Sequence, residues 1–133
     1  MNSSFSEVRL SLGRCTLSPA FFDDFYVQFL ESSPLIKERF ENTDMTAQKA
    51  LLRNGLSHLI KYSEGSKAAD MKLHRLAESH NRSAMDIPAW MYEKWLEALL
   101  AAVKKHDAKI SDDLLDHWKQ ALNKGIDYMV KQY

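Results

Sequence analysis

Five histidines, at positions 58, 74, 80, 106 and 117, and one cysteine, Cys15, are the side chains best suited to holding a metal or moving a proton. One cysteine excludes an intramolecular disulfide and any multi-thiolate zinc or iron–sulfur centre, and Cys15 reads as a small apolar residue in the first interhelical turn. No H-E-x-x-H pair, phosphate-cradling glycine loop, G-x-S-x-G elbow or EF-hand loop occurs. The two Glu-x-x-His repeats of a di-iron bundle are also missing. Hydrolytic and nucleotide-dependent chemistry is therefore disfavoured.

The histidines are not equivalent. His58, His106 and His117 stand beside Lys61, Lys105 and Asp116 and read as surface residues on polar helix faces. His74 has Glu78 four residues on, an exposed pair worth about 0.2–0.5 kcal/mol. His80 differs: it closes an apolar face of Leu73, Leu76 and Ala77 at i, i+3, i+4, i+7 spacing and has no carboxylate one turn earlier. Such a residue is either a hydrogen-bonded core imidazole or a metal ligand. A large planar apolar cofactor such as haem needs an imidazole on one side and an apolar slot around it. The 11% of aromatic residues, spread over several segments, is compatible with that second reading.

The elements that must position His80 are helical. Only four glycines and three prolines occur, with no run of alternating β-branched residues. A first helix is expected over 4–14, capped by Ser3 or Ser4, with Phe5, Val8 and Leu12 inward. Ser18-Pro19 opens a second to about Glu31, with Phe22, Phe25, Tyr26, Phe29 and Leu30 on one stripe. Ser33-Pro34 repeats the signal for a short helix ending near Phe40. Thr43 or Asp44 caps a helix to about Tyr62, with Met45, Gln48, Leu52, Leu56 and Leu59 on one side.

After the break at 63–66, a helix from about Ala69 reaches His80, and a loop follows over 81–86. Pro88 restarts a helix with the stripe Tyr92, Trp95, Leu96, Leu99, Leu100, Val103. Ser111 caps the last, whose face is Leu114, Leu115, Trp118, Leu122, Ile126 and Met129. That is an all-α chain of about seven helices with short connections, expected to fold as one domain over 1–133. Eighteen basic residues balance 18 acidic ones, which gives no electrostatic footprint for nucleic acid. No apolar run reads as a signal peptide or a membrane span, so a cytoplasmic protein is expected.

In this order the features resemble bacterial single-domain globins of the proteobacterial type, over nearly the whole chain. Residues 25–34, Phe-Tyr-Val-Gln-Phe-Leu-Glu-Ser-Ser-Pro, resemble the family's second-helix signature F-Y-x-x-F/L-x-x-x-x-P. Phe40 follows Pro34 by six residues, Gln48 to Leu52 resembles the bacterial Q-x-x-x-L pattern, and Leu73 to His80 resembles L-x-x-L-G/A-x-x-H. Ile87-Pro88 opens the next helix as is common in globins. The ending around Trp118 and Gly125-Ile126-Asp127-Tyr128-Met129 looks like a proteobacterial subgroup.

The resemblance implies a globin fold enclosing a haem b pocket, with His80 as the iron ligand and Leu76 packed beneath the ring. It implies Phe40 stacked on the ring, Tyr26 and Gln48 as distal polar groups, and Leu52 as the apolar residue over the iron. Ile87, Tyr92 and Trp95 would complete the pocket. The stretch between Phe40 and Gln48 is slightly short, which leaves Met45 or Lys49 as alternatives to Gln48. The loop after His80 is one residue longer than in the family, which leaves Met91 competing with Tyr92.

The implied function is reversible binding of dioxygen, nitric oxide or carbon monoxide by a monomer or homodimer, rather than catalysis. Two readings keep the fold: nitric oxide dioxygenation with a separate reductase, and gas sensing through a partner protein. A third, a histidine phosphotransfer domain, rests on His58-Leu59-Ile60-Lys61, with Tyr62 standing where small residues are expected.

Overall fold

A computed structural model describes residues 3–133, with side chains from residue 6 onward. The cap at Ser3 or Ser4 and the inward Phe5 therefore lie outside the described side chains. Seven helices follow in order: α1 (Ser3–Cys15), α2 (Ala20–Glu31), α3 (Pro34–Arg39), α4 (Met45–Ser63), α5 (Lys67–His80), α6 (Ala89–His106) and α7 (Asp112–Lys131). Among the described residues there is no strand.

The starts follow capping chemistry. Ser33 Oγ accepts from the Leu35 amide ahead of Pro34, and Asp44 accepts from the amides of Thr46 and Ala47. Asp44, not Thr43, is thus the cap of α4. Ser66 accepts from Ala69 and Ser111 from Leu114. Ser66 moves the start of α5 to Lys67, two residues before the expected Ala69.

One apolar core joins the helices: α2 packs on α6, α4 on α5 and α7, and α1 across α4, α6 and α7. Trp118, Phe21, Phe25, Leu56, Leu73, Leu99 and Leu122 are fully enclosed. Cys15 ends α1 with no exposed surface, and burial pushes its thiol up to about 12, so it is an inert core residue. No described helix is long and apolar enough to cross a membrane.

The close crossing of α4 and α7 depends on Gly125. A Cβ there would overlap Leu59 Cδ2 and approach Leu73 Cδ2 to 3.7 Å, and both leucines are buried. Gly125→Val is expected to destabilise by about 2 kcal/mol through overpacking. Gly125→Ala should lose less, because alanine in a helix is about 1 kcal/mol better than glycine. Urea midpoints of the two variants check this; an unchanged midpoint for the valine variant would show that Leu59 yields freely.

Candidate functional site

His80 is the last residue of α5 and is half-buried. Its Nδ1 lies 2.8 Å from the Leu76 carbonyl and 3.0 Å from Ser79 Oγ, and Ser79 Oγ itself donates to the same carbonyl at 2.8 Å. A carbonyl only accepts, so Nδ1 carries the proton and Nε2 keeps its lone pair. Burial pushes the imidazole below its usual pKa, outweighing the Leu76 bond that favours the charged form. Among the described residues no partner is recorded for Nε2. A neutral ring with one oriented nitrogen and one free lone pair is what a metal ligand requires.

The loop after His80 returns to it. The amides of Met85, Ile87 and Asp86 donate to the carbonyls of Ser79, His80 and Asn81, which satisfies the end of α5. Ile87 is thereby fixed beside His80, and half-buried Leu76 packs against the core within the same turn. Leu76, His80 and Ile87 form one group.

Tyr26, Phe40, Gln48 and Trp95 form another. Phe25 is the hub: its ring lies 4.8 Å from Tyr26, 5.4 Å from Phe29 and 6.1 Å from Trp95. Phe40 lies 6.1 Å from Tyr26 and 6.0 Å from Phe29. The Tyr26 hydroxyl donates to the Gln48 backbone carbonyl at 3.4 Å, and the Gln48 side chain also bonds the phenol, partly offsetting its burial. Burial raises the phenols of Tyr26 and Tyr92 to about 12, and both remain proton donors at neutral pH.

Leu52 is buried on α4, and Gln48 is half-buried one turn before it. Lys49 turns to Asp23 at 2.5 Å, while Met45 packs on the core. Met91 is buried, whereas Tyr92 and Trp95 keep surface open. Among the described residues no hydrogen bond, ion pair or ring contact joins the His80 group to the Tyr26 group. Two surface cavities, of about 370 and 330 Å³, lie elsewhere, beside Asp24 and Lys105 and beside Phe22 and Arg53.

Three of the other histidines depart from the surface reading, His106 most clearly. His106 is not a surface residue: its side chain is 11% exposed, and Nε2–H donates to Asp24 Oδ2 at 2.6 Å, joining α6 to α2. That bond first, then Lys105, holds the Asp24 carboxyl below its usual range. His58 and His117 are half-buried rather than free on the surface. His117 Nδ1 lies 3.7 Å from Glu7. His74 stays exposed, 3.4 Å from Glu78, and its Nδ1 is also 2.7 Å from the Tyr128 hydroxyl. Among the described residues no group of three or more His, Cys, Asp or Glu side chains could cage a metal ion.

The fit to a planar apolar group is testable from burial. Phe40, Met45, Leu76, Ile87, Tyr92, Trp95, Leu96 and Leu100 pack on the core yet are only partly buried. Large apolar side chains left open in such number mark surface that a further apolar body would cover. With the free nitrogen of His80, these residues fit a haem.

An all-helical order of this kind, with a helix-ending histidine and open aromatic flanks, agrees with a haemoglobin-like fold. A crystal structure of a Pseudomonas aeruginosa protein, described as structurally highly homologous to a human hemoglobin, matches this chain at 45% sequence identity with a TM-score of 0.94. The match covers 98% of each chain. The chain belongs to the globin family, as a bacterial globin. No family model and no curated protein matches it.

Proposed function

We propose that this globin binds haem b through His80 and reversibly holds a diatomic gas, dioxygen first, in the cytoplasm. The observation that carries the reading is the 2.8 Å contact of His80 Nδ1 with the Leu76 carbonyl, which puts the proton on Nδ1 and leaves Nε2 its lone pair. Haem b is assigned because covalent attachment would need accessible cysteines, and Cys15 is buried. When bound, haem supplies an iron whose remaining coordination position can take the gas.

The protein supplies orientation and a dry, donor-bearing pocket. Leu76 and Ser79 hold the His80 ring. Phe40, Leu52, Leu76, Ile87, Tyr92 and Trp95 are the apolar and aromatic walls. Tyr26 is the donor: its bond to Gln48 is long, so the hydroxyl can turn to a polar ligand at little loss. Gln48 is the second donor in this reading, its side chain beside the Tyr26 hydroxyl.

Titration with haemin tests the reading; one equivalent should give a Soret band near ~400–430 nm, the absorbance of a histidine-ligated haem. A protein that stays colourless would overturn it. Tyr26→Phe should then speed dioxygen dissociation by roughly ten- to a hundredfold, the value of one buried donor to a partly charged acceptor. Stopped-flow displacement by carbon monoxide measures it, and an unchanged rate would remove Tyr26 from the site. Sustained nitric oxide consumption with an added reductase would instead make the protein a dioxygenase.

A further inference from the structure

Asp86 is, among the described residues, the one non-glycine residue with positive φ, at 54°. A side chain in that left-handed region is held there by its surroundings. Its amide donates to Asn81 O at 2.8 Å. Its carbonyl accepts from Arg39 Nη1 at 2.8 Å, and the same nitrogen reaches Met85 O at 2.7 Å. Its carboxylate accepts from the Tyr133 hydroxyl. Tyr133 is itself held, with its carbonyl 3.3 Å from the Arg82 amide and its ring 4.9 Å beneath the Arg82 guanidinium.

The next residue, Ile87, bonds to the carbonyl of His80, so the conformation of Asp86 is transmitted directly to the backbone of His80. Arg39 also immediately precedes Phe40, so the clamp reaches from one candidate face of the pocket to the other. We propose that Arg39 and Tyr133, closing on Asp86, are positioning residues for His80 that set the direction of its free nitrogen. The inference rests on His80 being the haem ligand. Ties on both sides of Asp86 hold the left-handed turn; without them the loop over 81–88 relaxes and the ring of His80 is held by Leu76 and Ser79 alone.

The test uses haem-loaded protein with Arg39→Gln, Tyr133→Phe and the double variant, against Lys37→Gln as a charge control. Tyr133→Phe is mild, since it keeps the ring under Arg82 and removes only the hydroxyl. Amide exchange at Asp86 and Ile87 should quicken by roughly tenfold in each single variant, the population change that follows loss of one hydrogen bond to a charged group. The iron–imidazole stretching band of the ferrous protein should shift or broaden, most in the double variant, and stay put in the control. Unchanged amides would overturn the clamp. So would quickened amides with an unmoved band, since the contacts would then be structural only. If the parent protein shows no iron–imidazole band, or His80→Ala retains it, the haem reading itself falls and the positioning role falls with it.

Discussion

His80→Ala is expected to abolish the Soret band on haemin titration while leaving the helical content of the apoprotein intact. The ring is half-buried, and its recorded hydrogen bonds stay within the last turn of α5. Its loss should therefore lower apoprotein stability by no more than about 1 kcal/mol, within the ordinary range for such a site. Haem affinity should fall by more than about a hundredfold, since losing even a group that merely orients a metal ligand costs roughly 10–100-fold. His80→Gly with added imidazole should recover the band, which separates lost ligation from lost packing.

Controls are built into the chain. His74→Ala and His58→Ala should leave the titration unchanged, because neither side chain belongs to the half-buried apolar set around His80. Proton competition gives a second readout. Only neutral imidazole ligates, and burial holds His80 below its usual pKa. Affinity should thus be flat through neutral pH and begin to fall only below about 6.5, the ordinary histidine value. A decline beginning above that point would place the ligand elsewhere.

His80 was legible in the sequence because its signal is local. Four residues on one helical face and a following loop place it at the end of α5, and the Leu76 carbonyl lies within the same turn. Helix starts at Pro34, Met45 and Asp112 were legible for the same reason, since each cap bonds within three residues. Where the partner is distant, the sequence is silent. His106 stands next to Lys105 and reads as solvated, yet Asp24, 82 positions away, accepts its hydrogen bond.

The register of α4 is a middle case. The neighbour of Lys49 is a distant one, since Asp23, on another helix, pairs with it at 2.5 Å. Likewise the stripe of α6 reads as one face, but the structure divides it. Leu99 and Val103 are enclosed, whereas Tyr92, Trp95, Leu96 and Leu100 stay partly open. Periodicity reports which residues are apolar and on which side. It cannot report whether the protein or a cofactor covers them.

The second large effect is expected far from His80, at Asp107→Ala, which should destabilise the protein by about 2–4 kcal/mol, because several charge-assisted hydrogen bonds lose their acceptor while Arg14, 29% exposed, still reaches water. Asp107 caps α6 and is 1% exposed. Arg14 holds both of its oxygens, from Nε at 2.6 Å and Nη2 at 2.9 Å. Ser11 Oγ donates at 2.5 Å and the Lys109 amide at 2.9 Å, so all four acceptor positions are filled. Ser11 also accepts from Trp118 Nε1 at 3.0 Å, which brings α1, α7 and the end of α6 into one network.

Asp107→Asn should be nearly as harmful, because its amide group turns two donors toward donors. Burial alone would raise the carboxyl of Asp107, but Arg14, Ser11 and the Lys109 amide together bring it to about 2. The unfolded value is about 3.9, so the sign is that of a depressed acid. Its contribution, about 2–3 kcal/mol, is fully present above pH 4 and disappears as pH falls toward 2. Urea denaturation of the parent should therefore weaken over that window more steeply than denaturation of Asp107→Asn. A double-mutant cycle with Arg14→Gln should return a coupling above about 1 kcal/mol, as expected of groups sharing one network. A difference below 1 kcal/mol between Asp107→Asn and the parent at pH 7 would mean that water reaches the site and shares the charge. Haem titration should survive the substitution in the cold, because Asp107 anchors α6 at the end opposite Tyr92 and Trp95 and acts on the pocket only by keeping the helix in place.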